Sequence, residues 1–444
     1  MKRVDYLDIA KGLAIFLVVM GHAALAFDTP FWRLAIYAFH MPLFFLVSGT
    51  VARCRGDFGG KGVLAFVGKN MMAIMVPYFL WAFIYLPFRF ESVPYVFYAS
   101  WAALDKIGTS TALWFLPALF VARMEMAGLD WCVTKARWPR TVAFPVLAVV
   151  SFAVGFSLPR PALGYPWGAD SACIALGFML IGHAAKDVLA ANDRRGVCGQ
   201  LAVLFATLAM FVGGTWFRRE NLTLVGMFSF QYGNLFWFFW NAFAGSAAVL
   251  ALSSLLSRIR RDAAGGRFRA FLVWLGRNTI GVYLLHLPII RFFIAPMMDN
   301  WGFPRLHPFW AFVDAVIALA ICCALMLVIE RYVPVLFGRV AGVRKGSKAA
   351  DVVQLLLGEE DYIARLDEGA IREMLRTFQS RILADGKVDL PETMLLVRAI
   401  EPLARQKGGA YGEFLERLNR TRADGVITAD ESRAIAAALK GLAA

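Results

Sequence analysis

The sequence is poor in charged side chains. Only 18% of its 444 residues are charged, whereas 59% are hydrophobic. Soluble domains usually have about 25% charged residues and an apolar fraction nearer one half. The composition therefore excludes an ordinary soluble protein and predicts that most of the chain contacts lipid or packed helices.

The sequence also lacks the cysteine spacing of a metal site or a disulfide framework. We therefore interpret its cysteines as packing or lipid-facing residues, and we expect no metal and no bound cofactor. The six cysteines are Cys54, Cys132, Cys173, Cys198, Cys322 and Cys323. A removable signal peptide is not expected either, because Asp5, Asp8 and Lys11 interrupt the first apolar stretch and no small-residue cleavage site follows.

The basic excess is unevenly distributed. The formal net charge is +14, but residues 347–444 contain 14 Lys/Arg and 16 Asp/Glu, a net charge of −2, which leaves +16 for residues 1–346. In that part the basic residues lie in loops between apolar runs, where topology signals and contacts with anionic membrane lipids explain them. We therefore expect membrane lipids as partners and no nucleic acid.

Ten apolar runs are long enough to cross a bilayer, which takes about 20 residues of helix. The sequence therefore predicts an all-α polytopic membrane bundle of about ten transmembrane helices. The third run is interrupted by Lys69, Asn70 and Pro77. The predicted spans are 6–26, 32–52, 63–87, 111–132, 141–158, 169–189, 199–217, 233–256, 270–295 and 309–335.

The tail, residues 347–444, is predicted to be a small cytoplasmic helical domain that follows a membrane domain of residues 1–340. It repeats one phrase, in which Asp385-Gly386 precedes Glu392 and Asp424-Gly425 precedes Glu431 by the same spacing. We interpret each phrase as a turn followed by a helix whose first turn contains the Glu. Calcium binding is disfavoured because the first and third positions of an EF-hand loop would be occupied by Arg381, Leu383, Arg420 and Arg422. The phrases resemble those of the tellurite-resistance TerB-like helical domain.

Asp8, Lys11 and His22 lie within the first span, and ionisable residues inside a span are candidates for function. Eleven helical residues place Lys11 and His22 about 20° apart in azimuth and about 16 Å apart along the axis, hence on one face. Asp8 lies three residues before Lys11 and is expected to pair with it. The alternative is that these residues only mark the two membrane interfaces.

Three segments near the N-terminus and two later ones form a distinctive set. They are Asp8-Ile9-Ala10-Lys11-Gly12, Val18-Val19-Met20-Gly21-His22, Phe39-His40-Met41-Pro42 through Ser48-Gly49, Leu113-Trp114-Phe115-Leu116-Pro117 and Gly276-Arg277-Asn278 through His286. These segments resemble the acyltransferase 3 family of membrane enzymes that O-acylate sugars of surface and exported glycans. The branch most similar is the fucose 4-O-acetylase type, and the resemblance covers about residues 5–340.

The resemblance implies an O-acyltransferase of the bacterial inner membrane that moves an acyl group from a cytoplasmic acyl-CoA to a hydroxyl of a glycan or glycolipid. We expect this acyl group to be acetyl. His22 would act as general base, Lys11 would hold the donor and Asp8 would orient Lys11. The family often has Arg-x-x-Arg at the start of the third span. Here Lys69 stands at the first position and Met72 at the second, so only Lys69 remains as a donor-binding candidate there.

Five further residues are candidates for lining the substrate site, although each is also explained by helix packing. His40 and His286 are histidines within spans, and a carbonyl freed by Pro42 could accept a hydrogen bond from His40. The other three are Ser48, Trp114 and Asn278. A function of a different class, a transporter or flippase for a glycan, lipid or acyl donor, stays open, but the sequence shows no convincing inverted repeat. The sequence indicates no oligomeric state.

Membrane orientation is predicted from the Lys/Arg distribution, since cytoplasmic loops are enriched in these residues. Both termini are expected in the cytoplasm. Reporter fusions after residues 60, 135, 192, 264 and 346 should all report a cytoplasmic location, and two or more external reporters would refute the predicted topology. The basic residues that favour this orientation are Arg53, Arg55, Arg137, Arg140, Arg194, Arg195, Arg258, Arg260 and Arg261.

Overall fold

The structure is a computed structural model that describes residues 5–23, 30–52, 60–86, 90–107, 111–217, 224–260, 265–304, 307–339, 390–421 and 427–443, with isolated positions between 369 and 388. In these residues the regular secondary structure is helical, apart from one isolated bridge between Gly226 and Gln231. The chain divides into two compact units, Met1–Gly338 and Arg339–Ala444.

The described residues of the first unit form seventeen α-helices. They are α1 Asp5–Ala23, α2 Phe31–Tyr37, α3 His40–Thr50, α4 Gly60–Asn70, α5 Val76–Tyr85, α6 Val93–Tyr98, α7 Trp101–Lys106, α8 Phe115–Lys135, α9 Arg140–Ser157, α10 Ala169–Ala184, α11 Lys186–Arg194, α12 Val197–Trp216, α13 Leu235–Ser257, α14 Gly266–Arg277, α15 Thr279–Ile289, α16 Ala295–Asn300 and α17 Pro308–Tyr332.

Nine helices among the described residues are long and apolar enough to cross a membrane. A tenth crossing results if the bent pair Pro166–Ala184 and Lys186–Arg194 forms one span. The prediction of an all-α polytopic membrane bundle is thus confirmed. The nine helices are Asp5–Ala23, Phe31–Thr50, Gly62–Tyr85, Thr111–Lys135, Arg140–Ser157, Val197–Trp216, Leu235–Ser257, Thr279–Asn300 and Pro308–Tyr332.

Two predicted spans need correction. The run 169–189 is not straight, because the helix bends by 48° between Ala184 and Lys186. The run 270–295 begins too early, because α14 ends at Arg277 and the spanning helix starts at Thr279. Asn278 separates them with φ −119° and ψ 20°, which are not helical angles.

The third span contains an irregularity rather than a break. Helix α4 ends at Asn70, a π-helical turn follows at Met71–Met75, and α5 continues from Val76. A π-turn inserts an extra residue without interrupting the helix, and it shifts the faces on either side. Buried Asn70 donates from its amide nitrogen to the Phe66 carbonyl at 2.8 Å.

Helix α1 lies at the centre of the first unit. It packs against α3, α13, α14, α15 and α17. Its neighbours cover most of its surface, including residues 6–10. In α12, by contrast, only 11% of the apolar stretch is buried. The polar residues of α1 are therefore held inside protein, where ionisable side chains in a membrane domain are normally found.

The described part of the second unit contains helices α18 Leu390–Lys407, α19 Gly409–Thr421 and α20 Ala429–Ala443 around a separate apolar core. Glu431 lies in the first turn of α20, as predicted, and accepts hydrogen bonds from the Thr428 backbone and hydroxyl at 2.9 and 2.6 Å. This is a capping box, which stabilises the start of a helix. The turns at Asp385-Gly386 and Asp424-Gly425 lie outside the described residues.

Candidate active site

Two helices meet at an ionic cluster near the N-terminal end of α1. Lys11 Nζ lies 2.7 Å from Asp8 Oδ1, so the ion pair expected from their spacing is present. Asp8 also accepts from α14, because Arg277 Nε donates to its Oδ2 at 2.9 Å. One carboxylate therefore bridges two cations from different helices.

Asp5 extends the cluster by one turn. Arg269 Nη2 donates to Asp5 Oδ2 at 2.6 Å, and Arg277 Nη2 lies 3.4 Å from Asp5 Oδ1. Charges inside a membrane domain are costly unless paired. The pairing of two carboxylates with three cations explains how α1 and α14 can both place charges in the contact between them.

Two glycines allow this contact. A Cβ atom at Gly276 would lie 1.7 Å from the Asp8 carbonyl oxygen, and one at Gly12 would lie 2.5 Å from the Leu272 carbonyl oxygen. Only a residue without a side chain fits at either position. Small residues at helix crossings in membranes let the backbones approach closely. Here the approach brings Arg277 within reach of Asp8.

The second polar cluster lies at the other end of α1 and consists of imidazole and phenol rings. The His22 ring centroid lies 5.2 Å from that of His286 on α15 and 5.9 Å from that of Tyr37 on α2. The Tyr37 ring contacts His40 at 4.8 Å. Three histidines that are far apart in sequence are thus brought together by α1, the α2–α3 segment and α15.

The hydrogen bonds of His286 identify its tautomer. Its Nδ1 lies 2.7 Å from the Tyr283 carbonyl oxygen and 3.2 Å from that of Val282. A carbonyl oxygen can only accept, so Nδ1 carries the proton and Nε2 of the neutral ring is an acceptor. His286 is fully buried, and its Nε2 has no hydrogen-bond partner among the described residues. A buried acceptor of this kind is suited to a donor group supplied by a substrate.

The other two histidines differ from His286. His40 Nδ1 donates to the Ile36 carbonyl at 2.9 Å, so the packing hydrogen bond that was the alternative to direct chemistry is present. The accepting carbonyl belongs to α2 and is not the one that Pro42 would free. Half-buried His22 has its Nδ1 3.4 Å from the Tyr37 hydroxyl, a contact compatible with either tautomer.

The remaining predicted site residues are distributed around these clusters. Trp114 is buried and contacts Phe115, which contacts Tyr283, which in turn contacts His286. Asn278 donates to the Trp274 carbonyl at 2.7 Å and so caps the end of α14. Half-buried Ser48 lies on α3, and no described contact connects it with the imidazoles.

Lys69 lies at the end of α4, exposed, directly before the π-turn. Met72, at the second position of the expected Arg-x-x-Arg, lies inside that turn and is largely exposed. At the two positions of the expected Arg-x-x-Arg, the chain therefore offers one cation, Lys69, where the family pattern has two.

Sequence reasoning missed four members of the two clusters. In the sequence, Asp5 only interrupts the first apolar stretch, and Arg277 only belongs to a segment that resembles the family. No sequence pattern singles out Arg269 or Tyr37. The available signal was weak, since a basic residue beside an apolar run usually marks the interface. Helical periodicity cannot predict the contact between Asp8 and Arg277, which lie about 270 positions apart in the sequence.

Comparison with known proteins identifies the family of the chain. The acyltransferase 3 family, described as an acyltransferase domain, matches residues 4–329. The chain belongs to this family. Its membrane domain is therefore that of a membrane acyltransferase, and the family resemblance of the sequence segments is confirmed. The fucose 4-O-acetylase branch and the TerB-like tail stay predictions.

The acyltransferase is also similar to the nodulation protein NolL of Mesorhizobium japonicum. The two are 24% identical over 300 residues, which is 64% of this chain and 76% of NolL. No solved structure matches the chain.

The glycine contact between α1 and α14 gives a stability prediction for this acyltransferase. Gly276→Val should lower the free energy of unfolding by about 1–3 kcal/mol or more, because overpacking forces the helices apart. Gly128→Val on α8 is the matched control, since nothing lies within 4 Å of its added Cβ. Thermal unfolding of both variants in the same detergent tests the difference. Equal melting temperatures would contradict the close approach of α14 to α1.

Proposed function

We propose that this membrane acyltransferase moves an acetyl group from cytoplasmic acetyl-CoA to a hydroxyl of a surface or exported glycan. The observation that carries the proposal is the arrangement of α1, which has the Asp8–Lys11 pair near one end and His22 beside His286 near the other. A donor with anionic and thioester ends and an acceptor with a hydroxyl would meet along this helix.

The imidazole cluster supplies the base for the reaction. A neutral His22 would take the proton of the acceptor hydroxyl as its oxygen attacks the thioester carbonyl carbon. The C–O bond forms, the C–S bond breaks, and the coenzyme A thiolate leaves and is protonated to the thiol. His286 Nε2, a buried acceptor near the His22 ring, would accept a hydrogen bond from a second hydroxyl of the glycan and so hold the acceptor in position.

The ionic cluster supplies the donor site. Lys11 would hold an anionic or carbonyl group of the donor, and Asp8 would orient Lys11 through the 2.7 Å contact. Lys69 would contribute a single positive charge from α4. Trp114, His40, Ser48 and Asn278 would contribute to the walls of the substrate site or to its packing.

The location and the tail belong to the same proposal. The enzyme would lie in the bacterial inner membrane with both termini in the cytoplasm, as the positive-inside distribution predicts. Residues 347–444 would form a separate cytoplasmic domain outside the chemistry. The compact second unit with its own core supports this division.

Substitutions on α1 should separate chemistry from donor binding. His22→Ala should lower the turnover number by about 10²–10⁴-fold, the usual contribution of a general base. Lys11→Ala should chiefly raise the KM for acetyl-CoA, Lys11→Arg should retain part of the activity, and Asp8→Asn should have a milder effect. The measurement is acetyl transfer from acetyl-CoA by purified protein, with mass spectrometry of surface glycans from cells with and without the chain.

The control is His307→Ala, which removes an exposed histidine at the start of α17 and should leave transfer unchanged. Monodispersity and thermal unfolding identify any variant that fails to fold. A folded His22→Ala protein with near-normal transfer would refute the mechanism. If the wild-type protein transfers no acyl group from any acyl-CoA, the transporter alternative replaces the enzyme.

A further inference from the structure

The ionic cluster has more positive charge than it needs for internal pairing. It contains the cations Lys11, Arg269 and Arg277 and the carboxylates Asp5 and Asp8, so its formal charge is 3 − 2 = +1. Arg269 and Arg277 lie on α14, before the spanning helix begins at Thr279, and an unbalanced positive charge at this end of the bundle attracts an anionic partner.

Lys11 and Arg277 are the members placed to receive it. Their side chains are 26% and 39% exposed, whereas the Asp8 side chain between them is 10% exposed. The described structure assigns Arg277 hydrogen bonds through Nε and Nη2 only, so its Nη1 has no assigned acceptor. Lys11 has a single assigned acceptor, although an ammonium group carries three donors. Both cations thus retain free N–H groups.

The backbone contact fixes where these donors stand. Gly12 and Gly276 hold α14 against α1, so Arg277 approaches Asp8 from the neighbouring helix while Lys11 approaches along α1 itself. Asp8 accepts from Lys11 with Oδ1 and from Arg277 with Oδ2. The two cations are therefore held on either side of one carboxylate, which keeps an ammonium and a guanidinium close together despite their repulsion.

A point charge beside a planar guanidinium suits a phosphate group. The guanidinium offers parallel N–H donors to two phosphate oxygens, and the ammonium adds charge without a fixed direction. At the start of the third span, Lys69 has no second basic residue three positions later, because Met72 stands there. Arg277 thus supplies the guanidinium group with two parallel N–H donors that this segment lacks.

We propose that Lys11 and Arg277 form a binding site for a phosphate group of the acyl donor. The proposal rests on the acyl-CoA donor of the proposed function and adds Arg277 on α14 as a second donor-binding residue. Asp8 positions both cations, and Asp5 with Arg269 anchors α14 on the first turn of α1. Lipid headgroups carry the same phosphate chemistry, so the test must separate the two sources.

The test compares two donors on the full chain in nanodiscs of zwitterionic lipid. Acetyl-CoA carries phosphates, whereas S-acetyl-pantetheine has the same thioester and no phosphate. Arg277→Ala should raise the KM for acetyl-CoA about tenfold to a hundredfold, as expected for a lost charge-assisted hydrogen bond, with little change in kcat. The KM for S-acetyl-pantetheine should not change.

Two further variants make the result specific. Arg277→Lys keeps the positive charge and the pairing with Asp8 but loses the two parallel N–H donors of the guanidinium, so it should give an intermediate KM for acetyl-CoA. It also keeps the test valid if the alanine variant fails to fold. Arg267→Ala removes an exposed arginine from the same helix and should leave both donors unaffected.

The outcomes separate this proposal from the proposed function. If the wild type transfers acetyl from neither donor, the proposed function itself fails. If transfer occurs but Arg277→Ala changes the KM of both donors equally, or of neither, the phosphate site is refuted and the enzyme assignment stands. The assays are repeated in nanodiscs that contain anionic lipid. If Arg277→Ala changes neither KM in zwitterionic nanodiscs but removes a stimulation of transfer by the anionic lipid, the site binds a lipid phosphate and the donor assignment is wrong.

Discussion

The bridging of Lys11 and Arg277 by the Asp8 carboxylate is the interaction on which the arrangement of the membrane domain depends. It joins the first helix of the chain to a helix that ends at residue 277, and the small residues Gly12 and Gly276 are needed for the two backbones to come this close. The carboxylate offsets the repulsion between the two cations, which are 26% and 39% exposed. Because α15 follows α14 directly, the same contact helps to set where His286 stands relative to His22.

The two ends of α1 use polar groups in different ways. Near its N-terminus, charges are paired across helices and retain free N–H donors, which suits an anion. Near its C-terminus, His286 donates to its own helix and leaves a buried acceptor, which suits a hydroxyl. An acyl transfer between a phosphate-bearing donor and an alcohol could use both kinds of group, and α1 joins them, since it contacts Arg277 of α14 at one end and His286 of α15 at the other.

Much of the fold followed from apolar runs, and most of the site did not. Hydropathy predicted the spanning helices, but it does not report backbone angles, so it could not predict the break at Asn278 or the bend after Ala184. The i,i+3 spacing predicted the Asp8–Lys11 pair. Arg277 and His286 lay in a recognised segment, yet their contacts with α1 depend on tertiary packing, and the tautomer of His286 depends on backbone geometry around Tyr283.

The most direct test of a donor bound along α1 is a cryo-electron microscopy map of the full chain in nanodiscs with a non-hydrolysable acetyl-CoA analogue. The predicted density has its phosphates beside Lys11 and Arg277 and its acetyl group beside His22 and His286. Density with the phosphates at Lys69 and the acetyl group away from both histidines would contradict the central role of α1.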